Sequence, residues 1–84
     1  MVIIGGGATG VQLAGAVAAT HPTKTVTLID GSDQLLAGMG GATARDAERI
    51  LRSRNARLLL GTPVDEILGD GVLVGGEKIT GLPI

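Results

Sequence analysis

The sequence has no cysteine, phenylalanine, tryptophan or tyrosine, and a single histidine. Without cysteine there is no disulfide framework, no dithiol chemistry and no thiolate metal site. Without aromatic rings there is no platform on which nucleic-acid bases stack, and a core has to be built from Val, Ile, Leu and Ala. Charge of one sign is also missing: 7 Lys and Arg stand against 8 Asp and Glu, a formal net charge of −1. That balance leaves no basic footprint for nucleic acid or anionic lipid. No apolar run reaches the roughly 18 residues that a membrane span needs. No basic stretch precedes the first apolar residues, which glycine interrupts at once, so no secretory signal is expected and the expected setting is cytoplasmic.

What the sequence has in excess is glycine, 15 of 84 residues, against a usual share of about 7%. With 44% hydrophobic residues the chain is still globular in composition, and its length fits one small domain spanning residues 1–84. So much backbone freedom weakens an isolated domain, which suggests a piece of a larger protein.

Met1 to Ile4 is a short apolar run ending at Gly5, as in a parallel strand covered on both faces. From Gly10 to Thr20, Val11, Ala14 and Ala18 recur at helical spacing, and His21-Pro22 ends the pattern. Thr25 to Asp30 alternates and is rich in β-branched residues, which predicts a second strand reached by a right-handed crossover. Gly31 to Gly41 is expected to be a loop. Thr43 is the expected cap of a second helix, with Asp46 in its first turn, Ala44, Ala47, Ile50 and Leu51 as its apolar stripe, and Glu48–Arg52 as an i,i+4 pair. Arg57 to Leu60 is a third strand. After Gly61, Val64–Leu68, Val72–Val74 and Lys78–Thr80 are short strand-like runs separated by glycine turns. The expected fold is therefore α/β, a Rossmann-like βαβαβ parallel sheet with two helices on one face and a three-stranded antiparallel ribbon on the other.

The chemistry lies in Gly5-x-Gly7-x-x-Gly10, which follows a strand and opens a helix. Gly5 permits the tight turn, Gly7 lets a pyrophosphate approach the backbone, and Gly10 lets the helix pack on the strand. The helix start, Ala8 and Thr9 included, offers free N–H groups and the positive end of a dipole to phosphate charge. Asp30 ends the second strand 20 residues after Gly10, where a carboxylate can accept the hydroxyls of an adenosine ribose. Gly31 beside it is a further candidate for cofactor contact. A 2′-phosphate would meet a like charge at Asp30, and no arginine lies between Asp30 and Leu36, so NADH is expected over NADPH. His21, alone beside Pro22, and the acidic residues Asp65, Glu66, Asp70 and Glu77 are expected to be solvated surface groups. So are Arg45, Arg49, Arg52, Arg54 and Arg57.

The run from Val2 to Gly15, Val26-Thr27-Leu28-Ile29-Asp30 and Leu35-Leu36 together resemble the NAD(H)-binding domain of FAD-dependent pyridine nucleotide-disulfide oxidoreductase-like proteins. The likeness is greatest to the branch of type II NADH dehydrogenases and apoptosis-inducing-factor-like proteins. It extends through Leu58–Val64, Asp70–Leu73 and Gly75–Ile79. The resemblance implies hydride transfer from NADH to FAD, with this chain supplying the NADH site and the FAD-binding domain of a larger flavoprotein supplying the flavin. It also implies that Gln12 stands at the nicotinamide end, where the family usually has glutamate; an amide still hydrogen-bonds but makes no charged contact. Binding without turnover is expected of this chain alone, and the parent protein can be peripheral at a membrane. Two rivals share part of the pattern, a non-catalytic nucleotide-sensing module and an S-adenosylmethionine-dependent methyltransferase. The ribbon after Gly61 sets the first apart, and Ile4, where a carboxylate often precedes the loop, counts against the second. A fragment without independent activity is a third possibility.

Overall fold

Val2, Ile3 and Ile4 form a strand with side chains on alternate faces: Ile3 points to one apolar cluster, and Val2 and Ile4 to another. That alternation organises the computed structural model, which describes residues 1–84. In order the elements are β1 (Val2–Ile4), α1 (Ala8–Thr20), β2 (Thr27–Ile29), α2 (Gly41–Ser53), β3 (Arg57–Leu59), β4 (Glu66–Leu68), β5 (Gly71–Val74) and β6 (Glu77–Thr80). β1, β2 and β3 form a parallel sheet with β2 in the middle, Leu28 facing Ile3 on one side and Leu58 on the other. β4, β5 and β6 form an antiparallel meander with Val72 between Ile67 and Ile79.

Each face of the parallel sheet has its own cover, as two-sided burial of a parallel sheet requires. On the helix side, Ile3, Leu28 and Leu58 of the sheet pack with Ala14 and Ala18 of α1, Leu51 of α2, and Leu35 of the β2–α2 loop. On the other side, Val2 and Ile29 pack with Val72 and Ile79 of the meander. No buried side-chain polar atom lacks a hydrogen-bond partner. At the surface of the meander Lys78 donates to Asp70 at 2.8 Å, and this bond together with its charge holds the Asp70 carboxyl below the ordinary carboxylate range. No helix is long and apolar enough to cross a membrane.

The expected layers are present, and the differences lie at element ends. α1 starts at Ala8, two residues before the helical spacing becomes visible, because nothing in Ala8-Thr9 carries the apolar period. Thr43 is not the cap of α2. Gly40, at φ 94°, ends the loop, the Ala44 N–H donates to its carbonyl at 3.2 Å, and no side chain caps the helix. Thr43 therefore sits inside the first turn and Asp46 beyond it. The Glu48–Arg52 pair forms at 3.0 Å as expected. Arg54 is not merely a solvated charge: its Nη1 donates to the Gly15 carbonyl at 3.0 Å and ties α2 to α1.

The last residues add an element that the sequence pattern does not suggest. The Val2 N–H donates to Leu82 O at 2.8 Å, the Ile84 N–H to Val2 O at 2.8 Å, and the Ile4 N–H to Ile84 O at 3.1 Å. Leu82-Pro83-Ile84 thus runs parallel beside β1, bridged at Val2 and Pro83. The spatial order is β3, β2, β1, then this segment, so the chain order reverses at β1.

Burial separates sites that matter for stability from sites that do not. Leu28 is fully buried, and Leu28→Ala is expected to cost about 2–5 kcal/mol in urea unfolding. Ile67, 63% exposed on β4, is expected to change stability by less than about 0.5 kcal/mol when replaced by Ala.

Candidate functional site

The carboxyl end of β1 is where the chain order reverses, and open parallel sheets place ligands at such a point. There Gly5 turns the chain at φ 106°, a backbone conformation that side chains disfavour, while its N–H remains bonded to Ile29 O at 2.8 Å. α1 can begin immediately because Gly10 lies against the turn: a Cβ at Gly10 would be driven into the Gly5 carbonyl oxygen. The helix axis is thereby aimed at the end of β1. Its first N–H to bond backward, from Val11, donates to Gly7 O at 3.0 Å. Helix geometry leaves the N–H groups of Ala8, Thr9 and Gly10 without intrahelical acceptors, and no side chain caps them.

Gly7, Ala8 and Thr9 are exposed, and a Cβ built on Gly7 meets nothing within 4 Å. The turn is thus open on its outer side and tight on its inner side. Gly6, absent from the sequence-derived set, is the buried member. Its N–H donates to Asp30 Oδ2 at 2.9 Å, and its carbonyl accepts from the Leu36 N–H at 2.8 Å. A Cβ there would come within 2.6 Å of Asp30 Oδ2 and 2.9 Å of Leu35 Cδ2. The second Asp30 oxygen, Oδ1, accepts the Ser32 N–H at 3.2 Å. Leu36 adopts φ 52°, an uncommon conformation for a branched side chain, held by its bond to Gly6 and by the burial of Leu35.

The structure therefore brings Gly5, Gly7, Ala8, Thr9 and Gly10 to one turn and sets Asp30 directly beside it. Gly31 follows on the exposed side, with open space around its Cα. Gln12 lies one turn along α1, exposed, and borders a separate cavity of about 400 Å³ between the two helices. Val11, Leu36, Ala47, Ile50 and Leu51 supply the apolar part of its lining, with Asp46 and Arg54 at its edge. Arg54 is already engaged by the Gly15 carbonyl, and Asp46 pairs with Arg49 at 3.1 Å. His21 lies at the other end of α1 with its Nδ1 2.9 Å from Thr20 Oγ1, away from the turn.

A glycine turn at the sheet's switch point, a helix opening on it and a carboxylate closing the next strand define a Rossmann-type α/β unit. The model of the pyridine nucleotide-disulphide oxidoreductase family matches residues 1–79, and the chain belongs to that family. Among solved structures the fold is similar to a water-forming NADH oxidase from Lactobacillus brevis, solved with NADH bound, at a TM-score of 0.80 and 24% identity; the match covers 98% of this chain and 19% of that one. It is also similar to a ferredoxin reductase from Rhodopseudomonas palustris, with a TM-score of 0.87, 19% identity, and coverage of 98% and 22%. A third is an FAD-dependent pyridine nucleotide-disulphide oxidoreductase from Desulfovibrio vulgaris, with a TM-score of 0.85, 20% identity, and coverage of 98% and 22%. The chain thus spans about a fifth of the length of these proteins, and at these identities the likeness is one of fold. The three differ in named activity, so no single branch of the family is picked out. No curated protein sequence matches the chain.

The contrast between two glycines of the turn is measurable. Gly10→Ala is expected to destabilise the fold by more than about 2 kcal/mol through the collision with Gly5. Gly7→Ala, with open space around it, is expected to unfold at the wild-type urea concentration, and equal losses in both variants would contradict the assigned packing.

Proposed function

We propose that this chain is the NADH-binding domain of an FAD-dependent oxidoreductase and presents the dinucleotide to a flavin held by another domain of the parent protein. The observation that carries this reading is the uncapped start of α1, with three successive N–H groups that have no acceptor in the helix, beside the open space at Gly7. Such a helix end, with its positive dipole and no side chain in the way, is suited to a pyrophosphate. In this reading Gly5, Gly7, Ala8, Thr9 and Gly10 hold the pyrophosphate, Asp30 accepts from the adenosine ribose with Gly31 next to it, and Gln12 stands toward the nicotinamide.

When bound, the dinucleotide supplies a hydride for the flavin. The chain's own residues bind and orient it, and none acts as an acid or base. Asp30 also sets the preference between coenzymes. Its carboxylate repels a 2′-phosphate, and residues 31–36 contain no arginine or lysine to offset it, so NADH is preferred over NADPH. The partners are NADH and the FAD-binding domain, in a cytoplasmic setting.

Calorimetric titration with NADH and NADPH tests the assignment. Gly7→Val should abolish NADH binding while the circular dichroism spectrum stays that of the wild type, because position 7 has room inside the fold. Asp30→Arg should weaken NADH at least about tenfold, the scale of a lost charged hydrogen bond, and raise the ratio of NADPH to NADH affinity. Undiminished NADH binding by Gly7→Val would place the ligand elsewhere.

A further inference from the structure

The ribose contact leaves unexplained why the Asp30 carboxylate is so fully engaged within the chain. Oδ2 accepts the Gly6 N–H at 2.9 Å and Oδ1 the Ser32 N–H at 3.2 Å. The same residue's backbone N–H donates to Leu59 O at 3.0 Å, and its carbonyl accepts from the Thr62 N–H at 2.9 Å. Around it, the Leu36 N–H donates to Gly6 O at 2.8 Å and the Gly61 N–H to Ser32 O at 2.7 Å. The loops that follow β1, β2 and β3 are thereby joined through one residue. The β1 loop leads into the uncapped amides of α1, and its sole side-chain tie to the other two loops is the carboxylate.

We propose that Asp30 is the positioning residue of the glycine turn: its carboxylate fixes Gly6, and through Gly6 the direction in which the first amides of α1 point. This task is separate from accepting ribose hydroxyls, and it rests on reading the turn as a pyrophosphate site. The chemistry suits the residue. An ionised carboxylate is an acceptor only, with about four lone-pair positions, so two backbone donors leave capacity for hydroxyls. An asparagine keeps the shape but sets its NH2 group against one of the two N–H donors. The fit is also steric, since a Cβ at Gly6 would come within 2.6 Å of Oδ2 and displace it. Coenzyme selectivity and pyrophosphate affinity are then coupled through a single side chain, and an exchange of Asp30 made to admit NADPH also loosens the turn that holds the phosphates.

The test uses ADP and 2′,3′-dideoxy-ADP, which keeps both phosphates and lacks every hydroxyl that Asp30 would accept. Wild type should bind ADP more tightly than the dideoxy compound. Asp30→Asn should bind the dideoxy compound about tenfold more weakly than wild type does, with its urea midpoint little changed and the exchange of the Gly6 amide accelerated in the absence of nucleotide. Gly6→Ala, which keeps the carboxylate, should show the same loss toward the dideoxy compound. Equal affinity of wild type and Asp30→Asn for the dideoxy compound, with Gly6 exchange unchanged, overturns the positioning role and leaves Asp30 as a hydroxyl acceptor alone. A folded wild type that binds neither NADH nor either diphosphate overturns the reading of the turn, and the proposal with it.

Discussion

The contact between Gly10 and the carbonyl of Gly5 is the constraint on which the site depends. α1 can start three residues after the turn residue Gly5 only because no side chain stands between the helix and the end of β1. That approach brings the first turn of α1 against the end of β1, with the amides of Ala8, Thr9 and Gly10 uncapped and without acceptors in the helix. It also leaves Gly6 buried between Asp30 and Leu35, so the loop after β2 is fixed against the loop after β1. The family to which the chain belongs follows from the whole pattern, and the proposed chemistry from this corner of it.

The second constraint is the need to cover both faces of a parallel sheet. A three-stranded sheet of short strands leaves Val2 and Ile29 on the face that the helices do not reach. The antiparallel meander supplies Val72 and Ile79 to that face, which explains why so small a chain carries six strands. The result is a core in two thin layers of aliphatic side chains, with no aromatic ring in either. Several short elements support one another, and the fixed geometry of the glycine turn depends on all of them.

Much of this was legible in the sequence because the determinants are local. Short β-branched runs, the helical spacing of Ala14 and Ala18, and the glycine spacing each report on residues near them, and all of them are present in the structure. Less legible were features decided by distant partners. Leu82-Pro83-Ile84 shows no strand pattern, and its extended form comes from hydrogen bonds to β1 at the other end of the chain. The glycine spacing assigns no role to Gly6, although its burial against Asp30 makes it part of the site; a Gly-Gly-Gly run where the pattern demands only two is the available signal. Leu36 in a left-handed conformation and Gly40 in place of Thr43 as the helix cap have the same origin, since the loop after β2 is shaped by what it meets at Gly6 and Leu35 rather than by its own propensities.

The glycine turn and the cavity between the two helices are neighbours that share Gln12 and Leu36 at their border, and they offer a ligand different chemistry. The glycine turn offers free amides and a carboxylate, and the cavity between α1 and α2 offers aliphatic walls. Amide-resolved NMR during NADH titration shows which of the two holds the dinucleotide's phosphates. With the pyrophosphate on the glycine turn, the largest shifts are expected on Gly6, Gly7, Ala8, Thr9, Gly10 and Ser32, saturating together. Shifts confined to Ala47, Ile50 and Leu51, with the glycine turn unmoved, would contradict that placement.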